Sequence, residues 1–222
     1  MNAIEEPYPH SKWDQSLGEE LANSISHGVG LCAALIAAPI LAAAAWRGGD
    51  PAFFVGAVIF GAAMLLVYLG STLYHAWPQS PIKSVLQVID HSAIFLLIAG
   101  SYTPFTLGPL RGAWGWTILA LIWMLAIFGV VLKCISGVQR RSRLSMTLYL
   151  GMGWLILIAI RPLWLHLPVG ALLWLVTGGI AYTAGVFFFV NKRRRYRHFI
   201  WHLFVLLGTA CHFFAIFSCV RA

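Results

Sequence analysis

The sequence predicts an all-α membrane protein with seven transmembrane helices, its N-terminus in the cytoplasm and its C-terminus outside. Three observations predict this fold. Hydrophobic residues make up 60% of the chain and charged residues only 10%, which is far from the composition of soluble proteins. The 222 residues divide into about seven apolar runs of ~20–25 residues, the length that a helix needs to cross a bilayer. The basic residues between these runs are unevenly distributed, and this asymmetry indicates the orientation.

The boundaries of the predicted helices follow from the polar breaks between the apolar runs. Residues 1–23 are polar and acidic and lack the basic start of a secretory signal. We therefore interpret them as a cytoplasmic tail that precedes a transmembrane domain over residues 24–220. Glycine and proline form turns in several breaks, and Arg161 with Pro162 makes the fifth span short. The predicted spans are 24–46, 52–75, 85–107, 114–134, 145–162, 169–190 and 198–220.

Lysine and arginine residues near a membrane favour its cytoplasmic side. Of the fifteen in this chain, eleven fall in segments on the side of the N-terminus and four fall on the other side. This asymmetry predicts a cytoplasmic N-terminus and, after an odd number of spans, an external Ala222. A G-protein-coupled receptor has the opposite orientation, and a retinal protein needs a lysine in its last span, where residues 198–220 have none. We therefore expect no retinal. Because the basic residues lie between apolar spans and not on a soluble face, we expect no nucleic acid as a partner either.

Ionisable residues within a membrane span are costly and are therefore candidates for a functional site. Asp90 is the one acidic residue after Asp50 and lies about two turns into the third span. His75 ends the second span, and Ser71 lies one turn before it on the same helix face. Taken singly, Asp90 is also explained as a protonated or hydrogen-bonded carboxyl, and His75 as an ordinary interfacial histidine.

A histidine pair opens the last span. The four-residue spacing of His198 and His202 puts both rings on one helix face, about 6 Å apart along the axis. This spacing suits two ligands of one metal ion, although it also suits a polar extension of the preceding basic run. Depth strengthens the metal interpretation, because His75 and Asp90 lie, like this pair, within roughly 10 Å of the cytoplasmic face. Three imidazoles with an open position are typical of catalytic zinc, and a nearby carboxylate is the usual base. The predicted Zn²⁺ ligands are His75, His198 and His202.

Three polar residues share one face at the start of the first span, namely Glu20, Asn23 and His27. They are explained by capping of the helix, by hydrogen bonds that orient the zinc ligands, or by an alternative ligand. His212 lies ~21 Å beyond His198 along the last span, too far to share its metal ion. We interpret His212 as a polar contact between helices and assign no role to His91.

Four segments of the sequence resemble a known membrane protein family. They are E-E-L-A-N-S-I-S-H-G at 19–28, S-T-L-Y-H at 71–75, D-H-S-A-I-F-L-L-I-A-G-S-Y-T-P-F at 90–105 and H-F-I-W-H-L-F-V-L-L-G-T-A-C-H-F at 198–213. In order and spacing they resemble the hemolysin III family. This is the bacterial branch of the progestin and adipoQ receptor superfamily, which includes the adiponectin receptors and is more distantly similar to alkaline ceramidases. Ser26 stands where threonine is expected, which is a mild departure.

The resemblance implies a multi-pass protein of the bacterial plasma membrane with a zinc ion near the cytoplasmic face. The family's zinc ligands map onto the three histidines named above, and its conserved serine and aspartate motifs map onto Ser71 and Asp90. The superfamily suggests hydrolysis of lipid amide bonds, whereas the family name records cytolysis.

Our leading interpretation is a zinc-dependent, ceramidase-like hydrolase that acts on an amide or ester bond of a membrane lipid. Asp90 would accept the proton of the attacking water, and Ser71 would position that water or stabilise the oxyanion. The alternative is a membrane protein without enzymatic activity, either a cytolytic pore or a sensor of lipid homeostasis with structural zinc. A pore should carry polar residues along its length, whereas here they cluster at one end.

Overall fold

The computed structural model describes residues 15–138, 142–191 and 194–220. Most of the predicted cytoplasmic tail lies outside these ranges, as does Ala222. The basic residues used for the orientation that also lie outside them are Lys12, Arg140, Arg141, Lys192, Arg193 and Arg221.

Within the described residues, all regular secondary structure is helical. The α-helices are α1 (Leu17–Arg47), α2 (Pro51–Ala76), α3 (Pro81–Leu107), α4 (Ala113–Ser136), α5 (Ser142–Trp154), α6 (Ile160–His166), α7 (Val169–Val190) and α8 (Arg197–Cys219). A 3₁₀ segment, Leu155–Ala159, joins α5 to α6. With α5 to α6 taken as one span, this part of the chain has 7 helices that are long and apolar enough to cross a membrane. The predicted all-α, seven-helix fold is therefore confirmed, whereas the side of the membrane on which each end lies stays a prediction.

The first helix begins at Leu17, before the span that was predicted from residue 24. Ser16 and Glu19 form a capping box that starts the helix: Ser16 Oγ accepts from the Glu19 backbone N–H, and the Glu19 carboxylate accepts from the Ser16 backbone N–H at 3.0 Å. A helix can extend beyond the bilayer, so this start does not fix where the membrane begins. It does bring residues of the predicted tail onto the same helix as the first span.

The fifth span is interrupted, which the sequence did not predict. Its α-helical hydrogen bonding ends at Trp154 and gives way to the 3₁₀ segment. Tyr102 of α3 satisfies the backbone groups at this break: its hydroxyl lies 2.7 Å from the Met152 carbonyl, and it accepts from the Ile156 N–H at 3.0 Å. Buried backbone groups freed from a helix need such partners in a membrane. The break therefore depends on a side chain from another helix.

Helices α1, α2 and α3 pack side by side, α7 packs on α8, and α8 closes against α1. We call the end of the bundle where α1, α3 and α8 begin the near end, and the other the far end. At the near end, Glu19 Oε1 accepts a 2.8 Å hydrogen bond from the Tyr196 backbone N–H, which ties the beginning of α8 to α1. Gly70 lets α2 and α3 approach closely, because a Cβ there would lie 3.3 Å from Ile89 Cγ2 and 3.8 Å from the backbone of Asp90.

Candidate metal centre

Three histidine rings from two helices converge at the near end. His75 lies in the last turn of α2, and His198 and His202 lie in the first two turns of α8. The ring centroids are 4.6 Å apart for His198 and His202, 5.1 Å for His75 and His198, and 5.0 Å for His75 and His202. One ligand atom of each residue lies within 4.8 Å of those of the other two. Tertiary packing thus brings together the three residues that the sequence predicted as ligands.

The state of these imidazoles fits a metal ion. His75 and His202 are buried, and Nε2 of both His75 and His198 is shielded from solvent without a hydrogen-bond partner among the described residues. Burying an unsatisfied nitrogen costs about 1–3 kcal/mol, so such atoms need an explanation. Imidazole nitrogens are preferred ligands of zinc, and three of them leave a fourth tetrahedral position open. Because the donor set and the missing partners agree, the cluster is able to bind a metal ion.

Glu20 orients one of the three rings. Its Oε2 lies 2.6 Å from His75 Nδ1. When Nδ1–H donates to this carboxylate, Nε2 carries the free lone pair, which is the arrangement that supports a metal-binding histidine. Lys83 Nζ lies 3.0 Å from Glu20 Oε1 and donates to the Trp77 carbonyl at 2.8 Å, so a buried ammonium balances the carboxylate. Residue spacing within the sequence cannot reveal this ion pair, because Glu20 lies on α1 and Lys83 on α3.

The His202 ring is held from α1. Its Nδ1 lies 3.3 Å from both the Asn23 carbonyl oxygen and Ser26 Oγ. His27 stacks on it, with ring centroids 3.7 Å apart and planes inclined by 12°. Asn23 thus acts through its backbone, while its side-chain amide donates to Gln15. His27 is buried beside the cluster but does not belong to the group of converging ligand atoms.

Ser71 and Asp90 lie beside the histidines on α2 and α3. Ser71 is fully buried, and its Oγ has no hydrogen-bond partner in the described part of the chain. The Asp90 carboxylate is buried, and it does not belong to the converging group of ligand atoms. His91, to which the sequence analysis assigned no role, has its Nδ1 3.3 Å from Asp90 Oδ2. Consecutive residues of a helix point in different directions, so residue spacing does not predict this contact.

An apolar cavity begins where the histidine cluster ends. Val67 and Ile94 line it, and they lie one helical turn beyond Ser71 and Asp90, respectively. The cavity has a volume of about 80 Å³. On the same measure one water molecule needs roughly 10–15 Å³, so the cavity is a narrow slot. The lining residues Gly153 and Thr183 are exposed on the outer surface of the bundle. The cavity therefore extends from about one helical turn beyond Ser71 and Asp90 to the outer surface of the bundle.

The match to known proteins covers most of the chain. A family model described as haemolysin-III related matches residues 15–213. The chain belongs to the haemolysin III family. The hemolysin-3 homolog of Bacillus subtilis (strain 168) is 45% identical over 207 residues, which cover 93% of this chain and 97% of that protein. Hemolysin-3 of Bacillus cereus is 43% identical over 206 residues, with 93% and 94% covered.

A more distant relative extends the family beyond bacteria. The human monocyte to macrophage differentiation factor is 27% identical over 211 residues, which cover 90% of this chain and 84% of that protein. It belongs to the same superfamily as the haemolysin III proteins, that of the progestin and adipoQ receptors. No solved structure gave a significant match. Together with the seven apolar helices, the bacterial relatives identify a multi-pass protein of the bacterial cell membrane.

Proposed function

We propose that this haemolysin III protein is a zinc-dependent hydrolase of an amide or ester bond in a membrane lipid. One observation carries the proposal: a group of histidines with unpartnered ring nitrogens lies near an apolar cavity that begins about one helical turn beyond Ser71 and Asp90 and reaches the outer surface of the bundle. An acyl chain fits a narrow apolar slot, and the bond that joins it to the rest of the lipid would then lie beside the histidines. A soluble substrate would not need such a path.

The residues around the cluster suit hydrolysis. A zinc ion held by His75, His198 and His202 would polarise the carbonyl and supply a water that loses its proton near neutral pH. Asp90 would accept that proton, and its contact with His91 Nδ1 would hold the carboxylate in place. Ser71 Oγ, which has no partner among the described residues, would donate a hydrogen bond to the developing oxyanion or position the water.

A second candidate is a membrane protein without enzymatic activity in which zinc crosslinks α2 and α8. The name hemolysin-3 of the Bacillus cereus relative supports it, because that name refers to cytolysis. The structure is also compatible with it, since the three histidines come from two helices, α2 and α8, which a bound metal ion would join. The two candidates differ in what Asp90 does, and this difference can be measured.

The deciding experiment replaces Asp90 by asparagine, which keeps size and hydrogen bonding and removes the base. We expect Asp90→Asn to retain zinc and thermal stability but to lose turnover of a fluorescent lipid amide by ~10²–10⁴-fold, the usual contribution of a positioned general base. The matched control is Asp50→Asn, the same change at the far end, which should leave turnover unchanged. Normal turnover in Asp90→Asn, or no turnover of any lipid amide or ester by the unaltered protein, would favour the structural role.

The proposed orientation puts the metal centre at the cytoplasmic face. It rests on eleven basic residues against four in the alternating segments. A reporter fused after Ala222 should therefore be active outside, and one inserted near Arg141 should be active in the cytoplasm. If the reporter after Ala222 were active in the cytoplasm, either the whole bundle would have the opposite orientation or the number of crossings would not be seven.

A further inference from the structure

A histidine outside the metal centre, His212, lines the apolar cavity. His212 of α8 is 8% exposed, and its Nδ1 has no hydrogen-bond partner among the described residues. It lies ten residues beyond His202, or ~15 Å along the helix axis. A buried, unsatisfied nitrogen in an apolar cavity is costly, and packing alone does not explain it.

The surrounding helices are shaped to hold this ring. A Cβ on Gly178 of α7 would lie 2.4 Å from His212 Cδ2, so only a glycine leaves room for the imidazole. The ring also bonds to the Leu175 backbone carbonyl. Since Nδ1 is the nitrogen without a partner, we assign that bond to Nε2–H. Nδ1 then carries a lone pair and is a hydrogen-bond acceptor.

The phenol of Tyr182 lies next to this ring and also offers only an acceptor. Its centroid is 5.3 Å from that of His212, and its hydroxyl lies 2.8 Å from Thr209 Oγ1. Thr209 Oγ1 donates to the Val205 carbonyl, so the proton between the two hydroxyls comes from Tyr182. The phenol oxygen keeps its lone pairs, and the far part of the cavity presents two acceptors.

The other polar side chains that line the cavity have already used their donors within the protein. Each of them gives its hydroxyl or indole N–H to a protein acceptor, except Trp201, which lies eleven residues (~16 Å) before His212 on α8. The bonds are Ser101 Oγ to Ile98 O, Tyr102 Oη to Met152 O, Tyr149 Oη to His91 O, Trp154 Nε1 to Thr183 Oγ1, and Thr183 Oγ1 to Gly179 O. In the far part of the cavity, a ligand would therefore meet the acceptors of His212 and Tyr182, whereas the indole N–H of Trp201 lies towards the near end.

From this arrangement we infer that the cavity has a polar subsite at His212 and Tyr182 that binds a lipid chain carrying a hydroxyl group far from its carbonyl end. A hydroxyl can donate to His212 Nδ1, whereas a keto oxygen in the same position would face acceptors. The ~15 Å between His202 and His212 places the preferred hydroxyl in the middle of the chain and not beside the carbonyl. The subsite rests on the proposed lipid-binding role of the cavity, and it adds the class of lipid preferred.

Binding of four fatty acids to the full-length protein in detergent tests the subsite without requiring hydrolysis. The probes are octadecanoic acid and its 2-hydroxy, 12-hydroxy and 12-oxo forms, each competing with a fluorescent fatty acid. We expect the 12-hydroxy acid to bind about 3- to 10-fold more tightly than octadecanoic acid, the effect of one net hydrogen bond. The 12-oxo acid should show no gain. Equal binding of the 12-hydroxy, 12-oxo and unsubstituted acids would overturn the inference.

A substitution at His212 locates the effect. His212→Phe keeps an aromatic ring against Gly178 and removes the acceptor, so the preference for the 12-hydroxy acid should fall to about 1-fold. The matched control is His166→Phe, the same change in an exposed histidine at the end of α6, which should keep the preference. If His212→Phe does not fold, the four-acid comparison in the unaltered protein still decides. If the unaltered protein prefers the 12-hydroxy acid but hydrolyses no lipid, only the proposed function is refuted. If it hydrolyses a lipid but shows no preference for the 12-hydroxy acid, only the subsite is refuted.

Discussion

The two ends of the bundle hold polar residues in opposite ways. At the near end, the Glu20–His75 and Glu20–Lys83 contacts are formed by side chains that are at most 15% exposed. At the far end, Arg111 donates to both Asp50 oxygens, at 2.5 and 2.6 Å, between side chains that are 48% and 41% exposed. Buried charges are costly unless they are paired, and they are strongly coupled to their neighbours. Exposed ion pairs contribute little. The comparison indicates that the near end holds buried, strongly coupled polar groups, whereas the ion pair at the far end is exposed and weakly coupled.

Removal of a histidine ligand should have the largest effect of any change at either end. His198→Ala and His202→Ala should each weaken zinc binding more than about 100-fold, which is beyond the effect of losing a partner of a ligand. The control, His166→Ala, removes an exposed histidine near the far end and should leave zinc binding unchanged. Zinc content of the purified proteins and competition with a chelator provide the measurement. If His198→Ala and His202→Ala each still bound one zinc ion per chain tightly, the metal would not be bound by the histidines of the near end.

A change in the partner of a ligand should have an intermediate effect. Glu20→Gln keeps a hydrogen-bond acceptor for His75 Nδ1 but removes the charge that balances Lys83. We expect zinc affinity to fall about 10- to 100-fold. Glu19→Gln is the matched control, because the neighbouring carboxylate binds the Tyr196 and Ser16 backbones instead of a histidine. Equal zinc affinity in the two variants would mean that Glu20 does not tune the site.

Disruption of the far-end ion pair should have the smallest effect. Arg111→Gln should lower the free energy of unfolding by at most about 1 kcal/mol and should not change zinc content. The hydrogen bond from Arg111 lowers the pKa of Asp50 below its ordinary value of 3.8. Its contribution is therefore complete above that pH and is lost as the pH falls below it. Thermal unfolding of both proteins between neutral and acidic pH should show the difference shrinking below about pH 4. A large loss of stability at neutral pH would show that the two ends differ less than their burial suggests.

The candidate site divides into residues that spacing revealed and residues that it could not reveal. His198 and His202 were visible because four-residue spacing on one helix puts two rings on one face. His75, Ser71 and Asp90 were visible because ionisable and polar groups stand out in an apolar chain and share one depth. For Glu20 the sequence left three roles open: capping of the helix, orientation of a zinc ligand, or an alternative ligand. Only the packing of α1 on α2 shows that its carboxylate contacts His75.

The sequence could not predict the interruption of the fifth span or the role of His212, and the reason is the same for both. The sequence around Trp154 has apolar residues on both sides, and the break is satisfied by Tyr102 from α3. The sequence analysis treated His212 as a polar contact between helices, because no local pattern shows that a cavity lies beside it. In both cases the deciding partner is distant along the chain: Met152 is 50 residues from Tyr102, and His212 is more than thirty residues from Gly178.

The sequence by itself determined that this protein crosses a membrane seven times and that histidines and an aspartate gather at one depth. It could do so because the bilayer imposes a fixed helix length and excludes unpaired charge, and both constraints are read along the chain. Only the tertiary structure decided which atoms meet: Glu20 with His75 and Lys83, Asp90 with His91, and His212 with Gly178 at the cavity wall. These contacts depend on how neighbouring helices are rotated and how closely they approach. Side-chain packing between helices fixes that geometry, which cannot be predicted from the residue spacing within one helix.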